Sequence, residues 1–461
     1  MNIVEAMQDP AIFGEQFAGE TWRNWRALLG GFYGLPDTDP DAFQSLTQRN
    51  PPISECDELW LVIGRRGGKS ICAALLAVYE AVFNNHKEKL SAGEVASVMV
   101  IASDRKQARS VMRYIRGLLL DNPMLSRLVV QEKEESILLA NRCAIEIMTA
   151  SHRGTRGYSA CCVICDEIAF WYSDGANPDS EILNAIRPSL ATLGGKLIAL
   201  SSPYARRGAL WRNYHRYFGK DGRILVAQAP SLLMNPSLPE DVVTQAYEDD
   251  PLSAAAEYGA QFRSDVEGYC TLEVVERCTR SGMLEIPPSN SVRYSAFVDP
   301  SGGVSDAFTL AITHNDHDLT VVDVARAIKP PFNPSQVVAE YAQLLKQYRI
   351  HKVCGDNYAG EWPKEAFQKH GISYERSTKN RSEIYIDLLP LLNSERAELP
   401  PIPQLSNELI GLERRTSRSG RDIIDHAPGG HDDLCNAVAG AVVFSAQARK
   451  EIPNIKFTFS Y

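Results

Sequence analysis

The chain has 461 residues, 44% hydrophobic and 23% charged, with 48 lysines and arginines against 57 aspartates and glutamates, for a net charge of −9. That length exceeds one ordinary core and predicts two or three domains. The acidic balance excludes a blanket electrostatic grip on nucleic acid, so any DNA contact falls to local basic clusters. No apolar run approaches the ~20 residues that cross a bilayer, and the start MNIVEAMQDP has no basic stretch followed by an apolar one. The expectation is a protein that stays in the cytoplasm where it is made, with no membrane partner. Cys161, Cys162 and Cys165 lie in the apolar run CCVIC with no second pair nearby, and read as core thiols rather than zinc ligands.

Residues 1–58 read as a lead-in of helices and loops. Trp22, Trp25 and Leu29 fall on one helical face, either a stripe packed on the core or a platform beside a nucleotide base. Leu59–Ile63 is an apolar strand covered on both faces, followed by Gly64-Arg65-Arg66-Gly67-Gly68-Lys69-Ser70 and an Ala/Leu/Val-rich helix, Ile71–Phe83. Strand, glycine-rich turn and helix together make a phosphate cradle. Gly64, Gly67 and Gly68 let the backbone turn tightly and present its N–H groups to an anion. Lys69 would reach the β- and γ-phosphates of ATP and the Ser70 hydroxyl would sit on Mg²⁺. The spacing is a variant, with three residues between Gly64 and Gly68 where four are usual before the Gly-Lys-Ser/Thr.

Downstream, Ser97–Ala102 reads as a second buried strand and Asp104–Leu120 as a basic amphipathic helix. Ile137–Leu139 and Ala144–Met148 form a hairpin turning at Asn141-Arg142. The loop Ser151–Tyr158 carries Arg153 and Arg156, either solvated or placed as a finger toward a neighbouring subunit's γ-phosphate. Ala160–Cys165 is a buried strand ending in Asp166-Glu167. After a phosphate loop, Asp166 can hold the Mg²⁺ shell and Glu167 can polarise the attacking water; the plain alternative is a helix N-terminus. Lys196–Leu200 is another strand, ending in Ser201-Ser202, whose hydroxyls can sense the γ-phosphate. Arg206, Arg207, Arg212, Arg216 and Lys220 then cluster, as a solvated face or a contact to DNA or a neighbour. Arg223–Ala227 closes an α/β domain whose strands, alternating with helices, predict a mostly parallel sheet with the nucleotide at the strand C-termini.

Residues 230–290, punctuated by Pro230, Pro236, Pro239, Pro251 and Pro287-Pro288, predict a small helical connecting subdomain. The domains are therefore expected at 1–229, 230–290 and 291–461. The last begins with the strand Tyr294–Asp299, then strands Ala307–Thr313 and Leu319–Ala325, the helix Ser335–Tyr348, and the strand His351–Asp356. Helices are expected from about Glu383, over Leu405–Arg415, and over Leu434–Ala446 after Gly429-Gly430-His431-Asp432-Asp433. Three antiparallel strands followed by alternating helices and strands is the ribonuclease H-like order. It would set the first and fourth strands side by side under the last helix, crowding Asp299, Asp356 and the Asp432-Asp433 pair. Carboxylates so placed repel unless a metal neutralises them, and two Mg²⁺ or Mn²⁺ ions could clamp the attacking water and the leaving 3′-oxygen in phosphodiester hydrolysis. His314 and His317 read as solvated residues at a hairpin tip. Arg414, Arg415, Arg418 and Arg421 are candidates for gripping a DNA backbone.

In order and spacing, IGRRGGKS, the Asp166-Glu167 strand end, LSSP, GDNYAGEW and GGHDDL resemble the large terminase subunit of tailed bacteriophages, over nearly the whole chain from about residue 20. The resemblance implies a P-loop ATPase that drives double-stranded DNA into a procapsid, joined to a ribonuclease H-like nuclease that cuts concatemeric DNA. It implies Arg65 as the family's loop arginine and Arg66 within the nucleotide-binding loop. Lys69 with Ser70 match the phosphate-loop pair, Asp166 with Glu167 the magnesium and base pair, and Ser201-Ser202 the coupling motif. Arg153 or Arg156 is the trans-acting finger, and Asp299, Asp356 and Asp433 the nuclease triad. Asp432 is auxiliary, the last assignment being open by one residue. The implied partners are double-stranded DNA, the portal protein, a small terminase subunit and further copies of the chain in a ring, a pentamer on the portal, in the cytoplasm of a bacterial host. A repair or restriction helicase-nuclease is a rival, for which further helicase motifs would be expected after Ser202. A capsid-assembly adaptor with a vestigial nucleotide pocket is another, and would show no ATP turnover.

Overall fold

A computed structural model of the chain describes residues 1–150, 157–171, 178–304, 306–356, 362–416, 422–427 and 430–450. It divides into two compact units between Asp265 and Val266.

The first unit is built on eight strands: β1 (Glu58–Ile63), β2 (Ala96–Ala102), β3 (Val129–Glu132), β4 (Ser136–Leu139), β5 (Cys143–Thr149), β6 (Ser159–Asp166), β7 (Lys196–Ser201) and β8 (Ile224–Ala229). They run in the order β3-β4-β5-β2-β6-β7-β1-β8. From β5 to β8 every neighbouring pair is parallel, and β3 and β4 add an antiparallel edge. Parallel strands covered on both faces need apolar residues at every position, and β1, β2 and β6 supply them almost without a break. Alternate side chains then feed two cores. Leu59, Leu61 and Ile63 pack with the helices Lys69–Val82 and Arg105–Leu120 and the N-terminal helices. Trp60 and Val62 pack with the helices Pro178–Ala191 and Gly208–Tyr217. Cys161 and Cys162 belong to the first core and Cys165 to the second, as buried thiols.

The second unit contains β9 (Val266–Gly268), β10 (Tyr294–Asp299), β11 (Phe308–Asp316), β12 (Leu319–Ile328), β13 (Lys352–Gly355), β14 (Ser373–Arg376), β15 (Ala397–Glu398), β16 (Leu412–Thr416) and β17 (Asp422–His426). Six form a sheet in the order β14-β13-β10-β11-β12-β15. β10, β11 and β12 are antiparallel, while β13 and β14 extend the β10 edge in parallel, the ribonuclease H-like arrangement. The helices Pro334–Gln347 and Trp362–Lys369 cover one face, and Arg381–Asn393 and Asp433–Lys450 the other. Gly440 lets the last helix lie flat on the sheet, because a Cβ there would come within 2.5 Å of the Phe297 ring.

Three expectations change. Residues 230–290 do not stand as a subdomain of their own. The helices Ser231–Met234, Glu240–Asp249 and Pro251–Glu257 belong to the first unit, whereas β9 and the helix Leu272–Cys278 belong to the second. The reason is tertiary: Ser231 and Glu257 bond to Arg65, while β9 pairs with β16 and Val275 and Cys278 join the second unit's core. Leu412–Arg415 is strand rather than helix, since it pairs with both β9 and β17 and its Glu413 is fully buried; such pairing overrides a modest helical preference. His314 is no solvated turn residue. It lies within β11 with Nδ1 2.8 Å from both carboxylate oxygens of the buried Asp323, while His317 occupies the exposed turn beyond. Among the described residues no helix is long and apolar enough to cross a membrane.

Candidate functional site

β1 delivers the chain into the loop 64–68, where Arg66 (φ 65°) and Gly68 (φ 93°) adopt left-handed conformations before the helix begins at Lys69. Gly64 is dictated by crowding: a Cβ would lie 2.3 Å from Ser231 Oγ and 2.6 Å from the Tyr258 carbonyl. The outer carbonyls of the loop are all engaged. Ser231 Oγ donates to Arg65 O at 2.6 Å, Asn235 Nδ2 to Arg66 O at 2.9 Å, and Trp25 Nε1 to Gly67 O at 3.1 Å. A trans peptide sets each N–H opposite the preceding carbonyl, so the Arg66 and Gly68 N–H groups face the other side of the loop. The helix adds its own unpaired N-terminal donors there. Trp25 is buried and packed beside Trp22, so the aromatic stripe backs the phosphate loop.

β6, β7 and β1 are adjacent, and the register Asp166↔Leu200 and Ser201↔Val62 sets their C-terminal ends nearly level. Lys69, Glu167, Ser201 and Ser202 meet as a result. Lys69 is only 6% exposed and its Nζ donates to Ser202 Oγ (2.8 Å), Ile63 O (3.1 Å) and Gly64 O (3.3 Å), with Glu167 Oε1 at 3.5 Å. The Glu167 carboxylate accepts from Ser201 Oγ at 2.9 Å and the Ser202 N–H at 3.1 Å, from a left-handed backbone at φ 50°. Asp166 is fully buried. Its Oδ2 accepts from Gln107 Nε2 at 3.4 Å, and Oδ1 has no hydrogen-bond partner among the described residues. Burial, and after it the Glu167 charge, push this carboxyl up to about 7, against the pull of Lys69. A buried carboxylate oxygen without a partner, close to a second carboxylate, is oxygen chemistry that fits Mg²⁺. Arg65 pairs with Glu257 at 3.0 Å on the loop's outer side. Arg153 and Arg156 lie outside the described residues.

In the second unit the parallel register Val298↔Gly355 brings Asp299 and Asp356 out of neighbouring strands at one level, and the Asp356 N–H donates to Val298 O at 3.2 Å. Asn436, buried in the first turn of the last helix, donates its Nδ2 to Asp299 Oδ2 at 2.8 Å and to Asp356 Oδ2 at 3.2 Å. Burial pushes the Asp299 carboxyl up to about 7, with the Asp356 and Asp433 charges adding to it and the Asn436 bond opposing. Asp433 is half-buried, accepts from the Ala307 N–H at 2.9 Å, and is likewise raised by burial. One donor atom from each of Asp306, His431 and Asp433 falls within 4.8 Å of the others. The neighbouring Asp432 takes a different course. It is buried and accepts from Arg381 Nη1 at 3.0 and 3.1 Å and from the Tyr385 hydroxyl at 2.9 Å, which anchors the start of the helix. These oxygens fit a hard divalent cation, and Asp433 is more open to one than Asp432.

The basic clusters are largely engaged where they are described. Arg206 lies over Trp211 and Arg216 over Tyr217, Arg212 reaches Asp179, and Arg414 and Arg415 pair with Asp422 and Glu413. Arg418 and Arg421 lie outside the described residues. Asn436, Arg381, Gln107 and Glu257 are absent from the sequence-based set. Only Asn436 left a signal, one helical turn beyond Asp432-Asp433 in GGHDDLCN.

The chain thus combines a glycine-rich strand-to-helix loop on a mostly parallel sheet with an acidic set on a ribonuclease H-like sheet. No protein-family profile matches it, and no curated protein does. Among solved structures it is similar to the large terminase of bacteriophage HK97, at 17% identity over 91% of this chain and 94% of that one, with a TM-score of 0.39. It is similar to the large terminase of a thermophilic bacteriophage at 11% identity, over 91% and 97% of the two chains, with a TM-score of 0.41. A shorter match, over 38% of this chain and 96% of the other at 18% identity and a TM-score of 0.33, is the large terminase nuclease of the thermophilic phage G20c.

Proposed function

We propose that this chain is the ATP-hydrolysing motor subunit of a viral DNA-packaging machine and also carries the endonuclease that cuts the packaged DNA. The observation that carries this reading is the presence, in one chain, of the Lys69–Glu167–Ser202 cluster at a phosphate loop and of Asp299 and Asp356 bridged by one amide on a ribonuclease H-like sheet. Neither arrangement alone implies a motor. Together they match the functions of driving DNA and ending the drive.

At the first site the loop N–H groups and Lys69 hold the β- and γ-phosphates of ATP, and Ser70 and Asp166 would hold Mg²⁺. The ion would supply charge neutralisation to the phosphates there. Glu167, fixed by Ser201 and the Ser202 N–H, orients and polarises the attacking water. Ser202, bonded to Lys69, is placed to report the γ-phosphate to the end of β7. Arg153 or Arg156 supplies the finger to a neighbouring copy in a ring. At the second site Asp299, Asp356 and Asp433 would hold two Mg²⁺ or Mn²⁺ ions, which would supply Lewis-acid activation of a water and charge stabilisation for the leaving 3′-oxygen. The partners are double-stranded DNA, the portal, a small terminase subunit and further copies of the chain, in the cytoplasm of a bacterial host.

The test is movement. ATP should drive the full-length protein, with its portal, along double-stranded DNA so that a bound third strand is stripped off, and Glu167→Gln should abolish the stripping. Stripping without ATP, or undiminished stripping by Glu167→Gln, would contradict the motor.

A further inference from the structure

Asn436 is fully buried, and its two ends are treated unequally. Nδ2 donates to both Asp299 Oδ2 and Asp356 Oδ2, whereas Oδ1, enclosed beside the same pair, meets no hydrogen-bond partner among the described residues. A buried carbonyl oxygen is seldom left in that state without a function. The oxygen and nitrogen of an amide have nearly the same shape, so half a turn about Cβ–Cγ exchanges them without repacking the neighbours. What sets the orientation is charge. Facing two carboxylates, the N–H end is favoured and the oxygen repelled; facing a cation held by those carboxylates, the preference reverses.

The distances carry the argument further. The Asn436 amide terminus stands 2.8 and 3.2 Å from the two aspartate oxygens. Neighbouring oxygens around an octahedral Mg²⁺, with bonds of 2.0–2.1 Å, lie about 2.9 Å apart. Resting on the reading of Asp299 and Asp356 as metal ligands, we infer that Asn436 is the third protein oxygen ligand of the divalent ion between them, its amide turned over from the orientation in this structure. The same side chain then serves two states, holding the carboxylates together as a donor and completing their site as an acceptor. The ion it suits is a hard one, Mg²⁺ or Mn²⁺, since all three donors are oxygens.

The experiment is Mn²⁺ binding to the full-length protein without nucleotide or DNA, followed by calorimetry and by the spin-resonance signal of free Mn²⁺, with thermal melts in EDTA alongside. Asn436→Ala should weaken binding by more than the roughly ten- to hundredfold that losing a hydrogen-bond partner behind a ligand costs. Asn436→Asp, which places an oxygen at the same point, should bind Mn²⁺ at least as tightly as the parent while melting lower in EDTA, where three carboxylates crowd together. Wild-type affinity in Asn436→Ala would overturn the inference, and if that variant does not fold, weaker Mn²⁺ binding by Asn436→Asp overturns it instead. Asp356→Ala separates the two levels. If it retains the Mn²⁺ site, the reading of the aspartates fails; if it loses the site while Asn436→Ala keeps it, only the role of Asn436 fails.

Discussion

Ser201 Oγ donates to Glu167 Oε2 across 2.9 Å, tying the end of β7 to the turn after β6. Glu167 sits there on a left-handed backbone, so its carboxylate depends on this bond and the Ser202 N–H for its direction. Hydrogen bonds to charged groups contribute roughly 1.5–3 kcal/mol. Ser201→Ala should therefore lower the kcat of ATP hydrolysis about ten- to a hundredfold while leaving KM for ATP within a few-fold, because the serine touches the carboxylate proposed to orient the water rather than the loop proposed to hold the phosphates. Steady-state kinetics decide; a rise in KM with unchanged kcat would place Ser201 in nucleotide binding instead.

Gly64 offers a structural test of the loop. Its missing Cβ is demanded by Ser231 Oγ at 2.3 Å and the Tyr258 carbonyl at 2.6 Å. Overpacking of this kind costs about 1–3 kcal/mol, so Gly64→Ala should lower the melting temperature and weaken ATP binding together. Adding Ser231→Ala removes one of the three close atoms, leaving the Tyr258 carbonyl at 2.6 Å and the Ser231 backbone nitrogen at 2.8 Å, and should recover only part of the loss. Unchanged melting and ATP binding in Gly64→Ala would show that the loop does not need this close approach.

Glu80 gives a pH dependence free of either site. It is buried in the helix after the phosphate loop, accepts from Tyr33 Oη at 2.5 Å and Asn84 Nδ2 at 2.6 Å, and burial raises its carboxyl above the ordinary 4.5. A raised acid keeps a proton in the folded state that the unfolded chain has released, so stability falls as pH climbs through the window above about 4.5. Glu80→Gln keeps hydrogen-bonding partners and removes the titration. Its melting temperature should exceed the parent's by a margin that widens as pH rises above about 4.5; a margin that stays constant or shrinks would contradict the burial argument.

The parts legible in the sequence are those whose chemistry is written locally. Leu59–Ile63 before a glycine-rich turn specifies a strand, a cradle and a helix, and Asp166-Glu167 or Asp299 at the end of an apolar run specifies a strand end with carboxylates on it. Contacts made across the fold left little trace. Asn436 matters because β10 and β13 happen to run parallel at one level beneath it, and Arg381 because Asp432, 51 positions further along the chain, lies 3.0 Å away. Leu412–Arg415 reads as helix until two partner strands claim it, and His314 reads as a loop residue until Asp323 is found beneath it. The helices after Pro230 look like a connector because nothing in their own residues announces that Ser231, Asn235 and Glu257 buttress a loop more than 160 residues earlier.

The central claim is that one chain holds two independent chemistries, and the most direct measurement is a reciprocal pair of substitutions in the full-length protein, each assayed for ATP turnover and for Mg²⁺- or Mn²⁺-dependent DNA cutting. Glu167→Gln should lose ATP turnover by about 10²-fold or more, in the range of a lost general base, and still cut DNA. Asp356→Ala should stop cutting and keep its ATP turnover. DNA cutting that disappears in Glu167→Gln and persists in Asp356→Ala would contradict the assignment of the two sites.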